Sequence, residues 1–400
     1  MWPRYNPGGL VKKKYKISKN SFVKNVVVLV TGTASAQLIA IVLLPVITRL
    51  YSPEAFGIMG VFTAIIQIVI PIAALTYPIA IVLPKRNEDA KLLFKFSIYI
   101  TILVASIVFF LISIFNRQII DLFKLEEISM FLYLIPLVIL FSGFMQTIEQ
   151  WWLRMKEFGI VAKSAFLHWI IINSSKVGIG LFYPAASVLV IITAASNGLR
   201  AMLMCFFYKK KHKKSKKNLT KDRFSMIQLA KKYKDFPLFR APEVLFHAIS
   251  QRLPVILLTT LFSPISAGFY TLGQTVLAAP TQLIAKSVSD VFYPRISQAA
   301  NNGENLTNLI KKATISLIFV GLLPFGVIIF FGPYLFAFVF GSEWLRAGQY
   351  AQWIGLSLFF EFINKPSIRA LPVLSAQLFH LIFTIYDKIK QVNIVNQYKE

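Results

Sequence analysis

The chain has 400 residues, 56% of them hydrophobic and 14% aromatic, with a mean hydropathy of +0.63, an apolar share that a water-soluble domain cannot hide. Its 43 Lys and Arg against 17 Asp and Glu give a formal charge of +26, and its single cysteine, Cys205, excludes an intrachain disulfide and a cysteine-based metal site. The apolar runs are long and uncharged rather than alternating in short segments, which excludes a transmembrane β-barrel and predicts an all-α polytopic membrane protein.

A membrane-crossing helix needs about 20 mostly apolar residues. The first six such runs cover roughly residues 26–48, 57–83, 92–115, 129–148, 160–181 and 185–207. Basic residues ahead of Val26 and the triplet Ala34-Ser35-Ala36 imitate a cleavable leader. The apolar run continues to Ile47, so an uncleaved first span is expected. From Tyr208 to Asp222 the chain is too polar and self-repelling to pack, and a short amphipathic piece, Phe224 to Tyr233, follows. The later runs cover roughly 241–262, 267–290, 313–331, 348–363 and, as an eleventh, 370–386. This divides the chain into an N-terminal six-helix bundle (1–207), a basic linker (208–235) and a C-terminal bundle (236–400).

The basic residues are not spread evenly. Seven Lys and Arg fall between Arg4 and Lys24 and thirteen between Lys209 and Arg240, with smaller groups at Lys85–Lys95, Arg154–Lys163, Arg295–Lys312 and Lys365–Arg369. These are alternate loops; the intervening ones carry Arg49, Arg117, Lys124 and Arg346. The positive-inside rule then places the N-terminus in the cytoplasm. Topology and attraction to anionic lipid headgroups account for the charge without nucleic acid.

The two sets of spans share a pattern. Leu50-Tyr51-Ser52-Pro53 followed by Gly57 reappears as Leu261-Phe262-Ser263-Pro264 followed by Gly268, at a constant offset of 211, and Pro71 finds Pro280 at a nearby offset. Ser-Pro after an apolar run ends one helix and starts the next, because Pro fits a first turn and Ser can cap it. A tight turn explains each copy; the equal spacing points to a parallel repeat, as in carriers whose two bundles rock about a central site.

A charged side chain at mid-bilayer costs at least about 2.5 to 3.5 kcal/mol on insertion scales, so one that persists faces a cavity or a partner. Span seven carries Glu243, His247, Ser250 and Pro254 on one helical face, with Gln251 beside them. Arg252 lies about 180° around that helix from Glu243. Span eight carries Gln282, Lys286, Ser289 and Asp290, of which Lys286 and Asp290 are one turn apart. Span five adds His168, Asn173 and Lys176. Lys176, Glu243, His247, Arg252, Lys286 and Asp290 are the candidate cavity residues, although Glu243 and Asp290 lie near span ends, where hydration is cheap. Trp151 and Trp152 close span four, as an aromatic belt would. The chain has no Gly-rich phosphate loop and no HExxH, and its four histidines are scattered, so neither an enzyme nor a cofactor is expected.

Several stretches are similar to the polysaccharide flippases (O-antigen or capsule repeat units) of the multidrug, oligosaccharidyl-lipid and polysaccharide exporter superfamily. They are Leu44-Pro-Val-Ile-Thr-Arg-Leu-Tyr-Ser-Pro-Glu-Ala-Phe-Gly57, Ala80-Ile-Val-Leu-Pro84, Tyr233-Lys-Asp-Phe-Pro237, Phe269-Tyr-Thr-Leu-Gly-Gln274, Val291-Phe-Tyr-Pro-Arg-Ile-Ser297 and Phe340-Gly-Ser-Glu-Trp344. The resemblance implies translocation of a polyprenyl-pyrophosphate-linked oligosaccharide across the cytoplasmic membrane by alternating access. Lys176, Lys286 or Arg252 would neutralise the diphosphate. It also implies membrane lipids as surroundings, a polysaccharide polymerase as protein partner, and no cofactor. Two departures stand out. Thr76 and Pro78 occupy positions where relatives often carry an Arg and an acidic residue around Tyr77, and relatives usually have more spans. The polar turn from Asp387 to Glu400 after the eleventh run is what an incomplete second bundle would show. An ion-coupled drug or metabolite exporter of the same superfamily is the nearest alternative, against which the basic cavity inventory argues. A membrane glycosyltransferase or polysaccharide polymerase would need a larger outer loop than the longest one here, near Phe115 to Ser129.

Overall fold

The computed structural model describes residues 39, 41–123, 126–211 and 225–370, with no strand among them. The basic N-terminal segment, the start of the first apolar run, residues 212–224, the eleventh run and the polar C-terminal segment lie outside the described residues. Helix α1 spans Ile41–Leu50. Then come α2 (Pro53–Val69), α3 (Tyr77–Ala80), α4 (Asn87–Phe123), α5 (Ile135–Arg154), α6 (Phe158–Gly180) and α7 (Ala186–Lys211). The linker carries α8 (Met226–Lys232), and beyond it come α9 (Ala241–Leu261), α10 (Pro264–Asn301), α11 (Leu306–Phe340), α12 (Leu345–Ile363) and α13 (Lys365–Ala370). Six stretches are long and apolar enough to cross a membrane: Pro53–Ile72, Asn87–Asp121, Ile128–Arg154, Ala186–Phe207, Phe236–Leu261 and Leu306–Phe340. The protein is a polytopic α-helical membrane protein, and the more polar α6, α10 and α12 pack among these spans.

Helix α5 packs on α4 and α7, and α6 on α7; α12 packs on α10 and α11. Helix α2 joins the two groups, lying against α7 on one side and against α9 and α10 on the other. One apolar core, around Phe62, Ile66, Leu132, Ile139 and Val190, reaches across this seam to Val255 and Ala267. A second gathers Ile47, Tyr51 and Phe56 with Phe269, Phe336, Phe340 and Trp344. We call the end of the molecule that carries the basic loops the basic end, and the end with the α1–α2 and α9–α10 turns the far end.

Helix boundaries follow local chemistry. Ser52 and Ser263 cap α2 and α10 in the same way, each Oγ accepting the backbone N–H three residues on (Ala55 and Ser266) at 3.2 Å. Each helix has proline in its first turn. The apolar run 57–83, expected as one span, is broken. Helix α2 gives way to a 3₁₀ turn at Ile70–Ile72, and Leu75 and Thr76 take left-handed φ values of 48° and 57° before Pro78 enters the first turn of α3. Position 280, the proposed counterpart of Pro71, lies instead inside continuous helix. Helix α4 passes the expected end at Phe115 with only a local kink there (φ −106°, ψ 16°). Helix α11 contains Pro333, whose missing N–H frees the Ile329 carbonyl. Gln352 of α12 donates its side-chain N–H to that oxygen at 2.6 Å, as a bilayer interior requires.

Candidate functional site

At the far end the two copies of the Ser-Pro pattern meet each other. A Cβ on Gly57 would run into the Pro264 carbonyl oxygen, and a Cβ on Gly268 into that of Pro53. The relation is reciprocal down to the second neighbours: the Gly57 Cβ would sit 3.2 Å from the Gly268 nitrogen, and the Gly268 Cβ 3.0 Å from the Gly57 nitrogen. Backbone lies on backbone, a separation that only glycine permits. One turn further in, Gly60 of α2 faces Thr271 of α10. Over this contact stands Trp344, 1% exposed, edge-on to Phe56 at 4.9 Å and to Phe269 at 6.2 Å. Its indole Nε1 donates to the Thr48 carbonyl at 2.9 Å. Gly341, with φ 113°, ends α11 and turns the chain so that Trp344 can enter.

Two of the predicted cations flank this seam. Lys176 of α6 points its ammonium at the Met59 sulfur of α2, 3.9 Å away, and its carbonyl accepts the Tyr51 hydroxyl at 2.8 Å. Arg252 of α9 donates to Gln274 Oε1 of α10 at 3.2 Å and interacts electrostatically with Tyr270. Met59 and Tyr270 are equivalent under the 211-residue offset and pack against the same core. Among the described residues no carboxylate lies within ion-pair distance of either cation. Among the described residues, two positive charges, one from each helix group, therefore stand near the seam with no carboxylate within ion-pair distance.

The other candidates are placed differently. Glu243 forms a two-oxygen pair with Arg240 at 2.8 and 2.9 Å and its side chain is 64% exposed; His247 is also exposed. Neither shares a hydrogen bond or ion pair with Lys176 or Arg252 among the described residues. Lys286 and Asp290 lie in the stretch of α10 whose side chains fall outside the described ones. His168 is buried and shares a 2.7 Å hydrogen bond with Ser196, while Asn173 donates to Trp169 within its own helix. Trp152 packs inward against Ile160, Val161 and Met204, so it is a packing residue rather than part of an interfacial belt.

Two arginines have structural roles that the sequence does not show. Arg200 of α7 pairs with Glu149 of α5 at 2.7 Å inside the N-terminal group, one helical turn from Ser196 and next to Asn197, which donates to Ser142 at 2.8 Å. At the basic end Arg154 closes the loop after α3. Its guanidinium donates to the carbonyls of Ile81, Val82, Pro84 and Arg86 and to Asn87 Oδ1, using the planar fork that lysine lacks. Beside it the linker is fastened. Thr76 Oγ1 donates to the Phe236 carbonyl at 2.9 Å and Tyr77 Oη to the Ala230 carbonyl at 3.3 Å. Leu229 of α8 is buried with Ala80, Ile81, Ala90 and Leu93. Helix α8 starts with a capping box, Ser225 with Gln228.

A family model described as polysaccharide biosynthesis protein matches residues 46–349. The chain belongs to that family. The matched region includes both Ser-Pro copies, Lys176, Arg252, the linker and Trp344, so the site lies within the part that defines the family. No curated protein and no solved structure matches.

Proposed function

We propose that this polysaccharide biosynthesis protein is a flippase. It carries polyprenyl-pyrophosphate-linked oligosaccharide repeat units from the cytoplasmic to the outer leaflet of the cytoplasmic membrane, for surface polysaccharide. The observation that supports this most is the pair of intramembrane cations, Lys176 and Arg252, held at the seam of the two helix groups with no carboxylate partner among the described residues. Both side chains are part-buried; holding a cation partly out of water is costly, and a diphosphate would offset that cost with charge-assisted hydrogen bonds. The prenyl tail stays in lipid between the groups. The glycan is sheltered between an N-terminal bundle (1–207) and a C-terminal bundle (236–400), which rock about the linker (208–235). The basic end faces the cytoplasm, following the positive-inside rule. The Glu149 carboxylate is already neutralised by Arg200, which favours an anionic substrate over the small cations that an ion-coupled drug exporter would carry. The longest loop read as outer, near Phe115 to Ser129, is short, which favours a carrier over a glycosyltransferase or polymerase; a polymerase is expected as a partner.

The test is surface polysaccharide and polyprenyl-linked repeat units in cells lacking the protein, then in cells supplied with it or with a Lys176→Gln, Arg252→Gln, Lys286→Gln triple variant. Loss of polysaccharide with lipid-linked units trapped on the cytoplasmic face, restored by the parent and not by an equally abundant triple variant, is the expected result. Full export by the triple variant would remove the cationic site from the mechanism.

A further inference from the structure

We propose that the two Ser-Pro-x-x-x-Gly segments, Ser52–Gly57 and Ser263–Gly268, form the outer gate of the protein, with Trp344 as its plug, and that opening to the far side is the separation of α2 from α10 at these glycines. The inference rests on the flippase reading and adds the element that closes the path.

Three observations carry it. The contact is reciprocal, each glycine lying on the carbonyl at the start of the other helix, so the repeat pattern closes on itself where the bundles must part. The described contacts that hold it are also uncharged. Among the described residues no ion pair crosses the seam at this end, and Trp344 and Thr48 supply polar links, Trp344 Nε1 to the Thr48 carbonyl and Thr48 Oγ1 to the Phe340 carbonyl at 3.4 Å. A seal made of shape and aromatic rings can open without stranding buried charges. Finally, the two cations, neither of which has an ion pair among the described residues, lie inward of the glycines: Met59, which Lys176 approaches, and Gln274, which Arg252 grips, both follow the glycines along their helices. The seal therefore separates the proposed diphosphate site from the far side. Because the contact is two-fold, Gly57 and Gly268 are equivalent in the gate even though they belong to different halves of the chain.

The experiment uses the full chain with Cys205→Ser and a reporter, Thr271→Cys, one turn inward of Gly268 on the face that meets Gly60. A membrane-impermeant maleimide is added from outside to intact cells. With both glycines present, labelling is slow. A leucine at either position cannot fit against the facing carbonyl, so Gly57→Leu and Gly268→Leu each hold the seam apart and raise the labelling rate by about tenfold or more, the mark of a shifted population. Equal and slow labelling in both variants, with a melting profile in detergent matching the parent, overturns the gate. If a leucine variant fails to fold, Trp344→Phe, which keeps the ring and loses the bond to Thr48, decides in the same way: faster labelling supports the gate and unchanged labelling overturns it. The readout needs no substrate. Fast labelling in the variants together with normal surface polysaccharide in cells lacking the protein would leave the gate standing and remove the flippase reading.

Discussion

Helices α2 and α10 start from the same pattern with the same serine cap, yet α2 stops at Val69 while α10 runs on to Asn301. The shared beginnings meet each other at the far end, and the pattern persists where each copy is the other's partner. The differing ends answer local demands. Where α2 breaks, the left-handed Thr76 and the buried Tyr77 turn outward to hold the linker; the described part of α10 shows no such break. Even at the matched ends the symmetry stops at the first side chain without a reciprocal contact. Tyr51 is 1% exposed and bonded to α6, while its counterpart Phe262 is 74% exposed. Repetition in this fold is kept by contact between the copies and lost elsewhere.

The largest expected effect is at the matched end. Trp344→Ala removes a fully buried indole from the second core and leaves a cavity, costing about 3–5 kcal/mol, whereas Trp344→Phe loses mainly the bond to Thr48, about 1 kcal/mol. Denaturation in detergent measures both, and equal losses would mean that the hydrogen bond, not the packing, holds this end. At the unmatched end Arg154→Ala leaves four carbonyls and Asn87 without their donor and costs about 2–4 kcal/mol. Arg154→Lys recovers less than half of that, because a single ammonium cannot span them. Full recovery by lysine would reduce Arg154 to a charge and remove its role as a clamp on the loop after α3.

The fold class was legible because apolar runs of spanning length announce themselves, and the matched starts of α2 and α10 were legible because two short patterns share one offset; that the two starts touch was not. The break after Val69 was not: residues 57–83 are apolar nearly throughout, and the turn is held by the carbonyls of Phe236 and Ala230, which Thr76 and Tyr77 reach across 160 and 153 residues. Lys176 stood out as a lone charge in a span. Arg200 satisfies the same criterion; its pairing with Glu149 depends on the mutual rotation of α5 and α7, which periodicity within each helix does not determine. Arg154 was counted among loop cations, since nothing local shows that five acceptors converge on it. The Glu243 and His247 stripe is present on α9 but lies exposed on that helix, because a shared helical face says nothing about what it faces.

The smallest effect separates the two ends by pH. The hydrogen bonds at the far-end seal, Trp344 Nε1 to the Thr48 carbonyl and Thr48 Oγ1 to the Phe340 carbonyl, use no titratable side chain, whereas the linker dock rests on two phenols. Burial holds the Tyr77 hydroxyl above its ordinary pKa of 10.0, and burial, then the nearby Asp89 carboxylate, does the same for Tyr233. For an acid whose pKa is raised in the docked state, the neutral form is favoured there. Docking is therefore fully supported below the ordinary value and is lost as pH rises through the raised one. An environment-sensitive dye on Ile227→Cys in a Cys205→Ser background, placed on the exposed side of α8, should hold a steady signal through neutral pH and change only above about pH 10. Tyr77→Phe gives up the bond to the Ala230 carbonyl, about 0.5–1.5 kcal/mol, and its share of the alkaline transition. Adding Tyr233→Phe should flatten what remains. An undiminished transition in the double variant would assign it to the lysines of the linker, and a transition well below pH 10 would show that the phenols do not govern the dock.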